Sequence, residues 1–239
     1  WALAWETKAD SNNFNGTQVL KTTNGGNKWT IEKFPDTNRF LKSVYFLNQN
    51  TGFVCGYPGL ILRTTNNGTT WSETRIDSNI KFILPLEKIK FYNSQIGFAS
   101  GGFRDIAGAM WKTVNGGLDW NIQVVAPEPL LDISILDQFK SIAVGGDYEY
   151  GSSYVETSNQ GINWNYDTLG VFGVAKAIDF RNANEGWVAV GEKLVYTLDT
   201  GRTWNRTFAP DKSFIEDIFF SDSLNGWAVG YDGVILKYN

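Results

Sequence analysis

Thr64-Thr65-Asn66-Asn67-Gly68-Thr69-Thr70-Trp71 decides the reading of this chain, because the stretch recurs. Residues 22–29 (Thr-Thr-Asn-Gly-Gly-Asn-Lys-Trp), 113–120 (Thr-Val-Asn-Gly-Gly-Leu-Asp-Trp), 157–164 (Thr-Ser-Asn-Gln-Gly-Ile-Asn-Trp) and 197–204 (Thr-Leu-Asp-Thr-Gly-Arg-Thr-Trp) keep the frame Thr-x-Asn/Asp-x-Gly-x-x-Trp. The leading threonines advance by 42, 49, 44 and 40 residues, and a sixth copy stops at Val234-Ile-Leu-Lys-Tyr-Asn239. A steady period of this length marks a repeat architecture. Each element of the frame has a mechanical reading. The side chains of Asn24, Asn66, Asn115, Asn159 and Asp199 can accept bonds from backbone N–H groups just ahead and hold a turn. Gly26, Gly68, Gly117, Gly161 and Gly201 supply a positive φ that other residues resist. Trp29, Trp71, Trp120, Trp164 and Trp204 are expected to pack over the hairpin that each one opens. All these positions read as structural.

Working outward, short Gly-aromatic strands lie ahead of three of the boxes and of the broken sixth copy: Gly52-Phe-Val-Cys-Gly56, Gly97-Phe-Ala-Ser-Gly101, Gly186-Trp-Val-Ala-Val-Gly191 and Gly226-Trp-Ala-Val-Gly230. Before that comes an alternating strand, in which Val44/Phe46, Ile89/Phe91, Ile133/Ile135, Ile178/Phe180 and Ile218/Phe220 recur at the period of two that β-structure imposes. Each repeat therefore runs strand A (alternating), strand B (Gly-aromatic), strand C (into Thr), box, strand D (from Trp). Four short antiparallel strands in 40–50 residues spell one propeller blade. The expected fold is an all-β, six-bladed β-propeller, with repeats near 1–34, 35–77, 78–126, 127–169, 170–209 and 210–239 forming one domain. Trp1-Ala-Leu-Ala4 reads as a strand B without its strand A, and the far end stops after strand C. The two terminal blades are thus expected to be three-stranded and their ends to meet. The alternative is that Trp5-Glu-Thr-Lys8 is a strand D completing the last blade. A seventh blade in a longer parent chain is compatible with the same repeat.

Composition excludes several function classes. The 239 residues include no His, so His-based triads, imidazole general bases and His zinc sites are out. The single cysteine, Cys55, rules out an internal disulfide or multi-Cys cluster and reads as a small buried apolar residue. A net charge of −4 argues against a nucleic-acid binder. No apolar run approaches the roughly 18 residues of a membrane span. Trp1 opens the chain without an initiator Met or leader pattern, the expectation for a processed chain or an excerpt of a longer one. No cofactor motif or metal-ligand spacing stands out.

Residues 50–71, Asn-Thr-Gly-Phe-Val-Cys-Gly-Tyr-Pro-Gly-Leu-Ile-Leu-Arg-Thr-Thr-Asn-Asn-Gly-Thr-Thr-Trp, resemble a repeat of the photosystem II stability/assembly-factor-like propellers, within the wider Asp-box (bacterial neuraminidase repeat) group. The resemblance spans the chain and is specific for architecture, but the same box occurs in hydrolases and sorting receptors, so activity has to be argued from a site. It implies a chaperone-like docking role through an Arg-rich patch. This chain carries only scattered Arg39 and Arg104 beside aromatics. The resemblance also implies an extracytoplasmic location: periplasmic, cell-surface or secreted.

The box turns share one end of the blades with the A–B connections, while the B–C and D–A connections share the other. The second end is the variable one. Its B–C loops lengthen at residues 6–16, 102–108 and 146–153, and its D–A loops carry Arg39-Phe40, Lys81-Phe82, Phe172 and Lys212-Ser-Phe214. Long loops on a rigid scaffold carry binding residues, and Arg and aromatic side chains are the usual anchors. The candidate partner-binding set is therefore Arg39, Phe40, Phe103, Arg104, Asp105, Tyr148, Glu149, Tyr150, Phe172 and Phe214. Two plainer readings stand beside it: Asp147-Tyr-Glu-Tyr150 as a solvated hairpin tip, and Phe103-Arg-Asp105 as an Arg–carboxylate pair bracing a loop. The strand-A charges Lys42, Glu87, Lys176 and Glu216 occupy matching positions and, with mixed signs, are expected to pair with one another.

Two function classes follow. The first is a non-catalytic, monomeric scaffold that docks a protein partner on the B–C/D–A face. The second is a glycoside hydrolase, or a propeller that binds glycan without turnover. A sialidase needs converging arginines, yet Arg63, Arg75, Arg202 and Arg206 fall at repeat positions or on outer D strands. Tyr148 beside Glu149 imitates a nucleophile pair, and a general glycosidase would have to draw two carboxyls from Asp105, Asp147 and Glu149. The docking reading needs no catalytic constellation and is preferred.

Overall fold

A computed structural model describes residues 1–7, 14–34, 38–77 and 83–238. The fold is an all-β, six-bladed propeller with mostly four-stranded antiparallel blades. The first sheet holds β1 (Ala2–Thr7), β2 (Phe14–Lys21) and β3 (Thr30–Lys33). The second holds β4 (Phe40–Phe46), β5 (Gly52–Tyr57), β6 (Leu60–Thr64) and β7 (Ser72–Glu73). The third is built on β8 (Arg75–Asp77), β9 (Leu86–Phe91), β10 (Gly97–Phe103), β11 (Ala107–Thr113) and β12 (Asp119–Ala126). The fourth holds β13 (Leu130–Ile135), β14 (Ser141–Asp147), β15 (Gly151–Thr157) and β16 (Asn165–Thr168). The fifth holds β17 (Ala175–Phe180), β18 (Gly186–Val190), β19 (Lys193–Thr197) and β20 (Asn205–Phe208). The sixth is β21 (Ile215–Phe220), β22 (Gly226–Gly230) and β23 (Ile235–Lys237).

Both terminal sheets have three strands, as expected, and Trp5, Glu6 and Thr7 lie in β1, which sets aside the reading of that segment as a strand D. Arg75 departs from expectation. Instead of ending the second sheet, β8 pairs in parallel with β12, Ile76 opposite Trp120, and Arg75 Nε bonds Asp119 Oδ1 at 2.8 Å. No helix among the described residues is long and apolar enough to cross a membrane.

The chain divides into two compact units: residues 1–99 with 113–122, and residues 100–112 with 123–239. The division falls within the third sheet. In the first unit, Val19, Phe34, Leu41, Val54 and Leu62 form a core with Trp1 and Trp71 packed against it. In the second, Ile142, Val144, Ile178, Val188 and Val195 form one core and Ala177, Ala189, Ile215 and Ile218 another.

Register explains the Gly-aromatic strands. Strand A ends on an aromatic ring that lies across the first glycine of strand B: Phe46 opposite Gly52, Phe180 opposite Gly186 and Phe220 opposite Gly226. A Cβ at those glycines would come within 2.6, 2.5 and 2.3 Å of the ring. At the other end, strand A carries a one-residue bulge between Leu41 and Ser43, Leu130 and Asp132, Ala175 and Ala177, and Ile215 and Asp217. In the second, fourth and sixth sheets the carbonyl before the bulge lies against a strand-B glycine, whereas in the fifth Val190 occupies the matching position. A Cβ at Gly56, Gly145 or Gly230 would lie 2.0, 1.9 or 1.8 Å from the oxygen of Phe40, Pro129 or Phe214. The bulged residues include Lys42, Lys176 and Glu216. Lys42 pairs with Glu87 in the first unit, and Lys176 with Glu216 at 3.5 Å in the second, the pairing read from their signs.

Each box is a closed hydrogen-bond ring. Thr157 Oγ1 donates to Asn159 Oδ1 (2.9 Å) and accepts from the Gly161 N–H (2.9 Å), while Asn159 Oδ1 accepts from the Asn163 N–H (3.0 Å). The boxes led by Thr22, Thr64, Thr113 and Thr197 repeat these bonds. The tryptophans do more than the sequence reading assigned them. Three of them, Trp71, Trp120 and Trp204, reach past their own hairpins into the preceding blade. Trp120 meets Phe53 edge-on at 6.3 Å, Trp71 meets Phe34 at the same distance, and Trp204 meets Tyr154 at 5.9 Å.

Candidate docking face

In the fourth sheet, β14 and β15 join through Tyr148-Glu149-Tyr150. Asp147 Oδ1 accepts the N–H groups of Glu149 (3.0 Å) and Tyr150 (2.7 Å), fixing a three-residue tip that pushes two rings into solvent. Tyr148 is 63% and Tyr150 69% exposed. The hairpin tip and the exposed anchors of the two sequence readings are thus one object. The charge of Glu149, with that of Asp147 adding to it, holds the Tyr150 hydroxyl above the ordinary tyrosine range. The Glu149 charge thus acts on Tyr150, which weakens the Tyr148–Glu149 nucleophile reading.

Tyr148 borders a cavity of about 280 Å³ in the second unit, walled by Phe172, Phe214, Tyr231, Lys176 and Glu216. Phe172 is 70% exposed, and Phe214 meets Tyr231 edge-on at 6.3 Å. The Tyr231 N–H bonds the Phe214 carbonyl at 3.0 Å, which ties the two rings together from adjoining connections. Three sequence candidates, Tyr148, Phe172 and Phe214, therefore converge on one cavity. Tyr231 was missed, although it sits in the same kind of B–C connection. That connection in the last repeat is only Tyr231–Gly233, too short to stand out among the B–C loops. The wall is amphipathic: aromatic faces beside a Lys–Glu pair, the chemistry of a groove that takes apolar side chains while holding a polypeptide backbone or charge.

Phe103, Arg104 and Asp105 lie at the β10–β11 turn of the same unit, with Phe103 48% exposed and Asp105 held at φ +60°. Arg104 Nε stands 3.7 Å from Asp105 Oδ2 and 3.6 Å from Asp147 Oδ2, so the brace reading holds and extends to a second hairpin. Glu128 joins them: its Oε2 accepts the Asp105 N–H at 3.1 Å. Burial pushes its carboxyl above the usual range, against the pull of that N–H. Sequence reading passed over Glu128, whose setting Pro127-Glu-Pro129 looks like an ordinary loop.

Arg39 and Phe40 belong to the first unit. Arg39 Nη2 bonds Glu73 Oε1 at 2.7 Å, and Phe40 meets Trp5 edge-on at 5.7 Å. Arg39 lines a cavity with Phe34, Trp71 and Trp1. Lys81, Phe82 and residues 8–13 of the first long loop lie outside the described residues. Cys55 is fully buried, and burial raises its thiol far above the range in which a thiolate forms.

A family model described as photosynthesis system II assembly factor YCF48 matches residues 13–166. Over 227 residues the chain is 24% identical to the photosystem II assembly lipoprotein Ycf48 of Synechococcus sp. (strain CC9902), covering 91% of this chain and 65% of that one. Over 284 residues it is 21% identical to the chloroplastic photosystem II stability/assembly factor HCF136 of Arabidopsis thaliana, covering 92% and 70%. The chain thus spans about two thirds of the length of these relatives. Among solved structures, YCF48 bound to D1 peptide superposes with a TM-score of 0.55 at 20% identity, over 94% of this chain and 86% of that one. The GH74 enzyme of Niastella koreensis superposes at 0.70 and 15% identity, over 95% and 41%.

Proposed function

The chain belongs to the photosystem II assembly factor YCF48 family, and from that premise we propose that it is a non-catalytic docking propeller that holds a segment of a protein partner. The observation that carries the reading is the cavity bordered by Tyr148, Phe172, Phe214 and Tyr231, where exposed rings on separate connections surround about 280 Å³. Aromatic anchors around a recess are the usual centre of a protein interface. A relative named as an assembly lipoprotein and a fold neighbour described as bound to D1 peptide support a polypeptide occupant. The word lipoprotein also supports an extracytoplasmic site of action. Phe103, Arg104, Asp105, Glu149 and Tyr150 would flank the docked segment, while Arg39 and Phe40 would serve the first unit.

The hydrolase reading rests on the GH74 likeness, which concerns the fold. Among the described residues Asp105, Glu128 and Asp147 form a carboxylate cluster at this face, and the latter two are only 4% and 3% exposed. Glycosidase carboxyls flank an open cleft that admits a sugar ring. The test is binding of a synthetic peptide series covering D1, with the wild-type chain compared with a Tyr148→Ala/Phe172→Ala variant. Retention by the wild type and loss of tenfold or more in the variant is expected. Equal binding by both, or turnover of β-glucan that survives the double substitution, would remove the proposal.

A further inference from the structure

Asp105, Glu128 and Asp147 come from the β10–β11 turn, the 127–129 connection and the end of β14, and one carboxylate oxygen of each lies within 4.8 Å of the others. Two of the three are buried, Glu128 at 4% and Asp147 at 3% exposure. The bonds already made do not satisfy them. Asp147 spends Oδ1 on two backbone N–H groups, and its Oδ2 is buried with no hydrogen bond. That atom faces Arg104 Nε at 3.6 Å, and the same nitrogen stands 3.7 Å from Asp105 Oδ2, so Asp147 Oδ2 points to the Asp105 side of the group. Both separations exceed those of a charge-assisted hydrogen bond, and the Arg104 side chain is 59% exposed. Three carboxylates thus share one loosely placed positive charge, an arrangement that burial makes costly.

We propose that Asp105, Glu128 and Asp147 form a binding site for a calcium-class divalent cation. Calcium takes carboxylate oxygens at 2.3–2.6 Å, so ligands on opposite sides of one ion stand about 4.6–5.2 Å apart. The three oxygens lie within 4.8 Å of one another, inside the reach of a single ion of this radius. Magnesium holds its waters more firmly and is less often held by a cluster of protein carboxylates. An all-oxygen set without His or thiolate is a poor match for zinc. The ion would supply the two positive charges that Arg104 supplies only in part, and Arg104 would swing to solvent as a displaced counter-ion. Because Asp147 also fixes the Tyr148–Tyr150 tip, the ion would clamp two neighbouring hairpins to the 127–129 connection.

The experiment is thermal unfolding of the chelator-stripped chain with CaCl2 or MgCl2 added, paired with terbium luminescence excited through the protein aromatics. Calcium is expected to raise Tm by about 5 °C or more at a hundredfold excess over its Kd, and magnesium by less. Asp105→Asn keeps an exposed side chain that tolerates positive φ, so it should fold and lose both the shift and the terbium signal. Arg104→Ala removes the competing charge and should tighten calcium several-fold. A cluster that Arg104 merely braces would instead lose stability in Arg104→Ala and ignore calcium. No calcium shift at about 1 mM, equal shifts with both metals, or a shift unchanged in Asp105→Asn would overturn the site.

Discussion

Gly145 and Gly170 separate two reasons for glycine in this chain. A Cβ at Gly145 would lie 1.9 Å from the Pro129 carbonyl oxygen, where backbone meets backbone and nothing can swing aside. Gly170 has φ +65° and open space around it. Gly145→Ala should therefore cost about 3 kcal/mol, because strand A must move, whereas Gly170→Ala should cost about 1 kcal/mol for left-handed backbone alone. Urea unfolding of the two variants reads the difference, and equal losses would refute the close-approach account. Asp199 offers a second residue-scale test. Bonds from the Thr203 hydroxyl and N–H, then from Thr197, hold its carboxyl at about 2, below the ordinary 3.8. A depressed folded pKa means that its contribution is fully present above the ordinary value and is lost as pH falls through about 2. Amide protection factors at Gly201 and Thr203, taken against the intrinsic rate at each pH, should fall between about pH 4 and pH 2, and Asp199→Asn should flatten that dependence.

At the scale of the element, the box and its tryptophan fail in different ways. Thr157 is 1% exposed, and replacing it by Val leaves the buried Gly161 N–H without its partner and Asn159 Oδ1 with the Asn163 N–H alone. A loss of about 1–3 kcal/mol is expected. Trp120 is fully buried against Phe53 and Phe91, so Trp120→Ala should cost about 3–5 kcal/mol. Calorimetry of both variants checks the order, and a smaller loss for Trp120→Ala would mean that the ring does not join blades. The period, the A–B–C–D order and the three-stranded ends were legible because they are local: a turn needs its Asn and Gly, and a pleat needs alternation. The bulge in strand A was not: the matching charges at Lys42, Lys176 and Glu216 were visible, but Leu131 breaks the pattern and the extra residue shows only against its partner strand. The parallel addition of β8 and the reach of Trp204 to Tyr154 are likewise choices of neighbour. Glu128 and Tyr231 escaped for the same reason: each gains its role from residues on other connections.

Across the molecule, repeated and unrepeated residues divide the work between them. Repeated positions are spent on bonds within a box and on rings pressed into the preceding blade. The unrepeated ones, Tyr148, Phe172, Phe214 and Tyr231, stand between 53% and 70% exposed around one recess of the second unit, where their removal opens no cavity in a core. A scaffold built this way predicts a double dissociation. Phe172→Ala and Tyr148→Ala should shift stability by less than about 0.5 kcal/mol, as exposed substitutions do, yet weaken peptide capture by tenfold or more if these rings are anchors. Trp204→Ala should do the reverse, lowering stability by about 3 kcal/mol while the residual folded protein binds with unchanged affinity. Denaturant melts and peptide titration on the same three preparations read both axes. If Trp204→Ala weakened capture as strongly as Phe172→Ala at temperatures where it stays folded, the separation of frame from face would fail. The partner would then have to be sought at the box end of the blades.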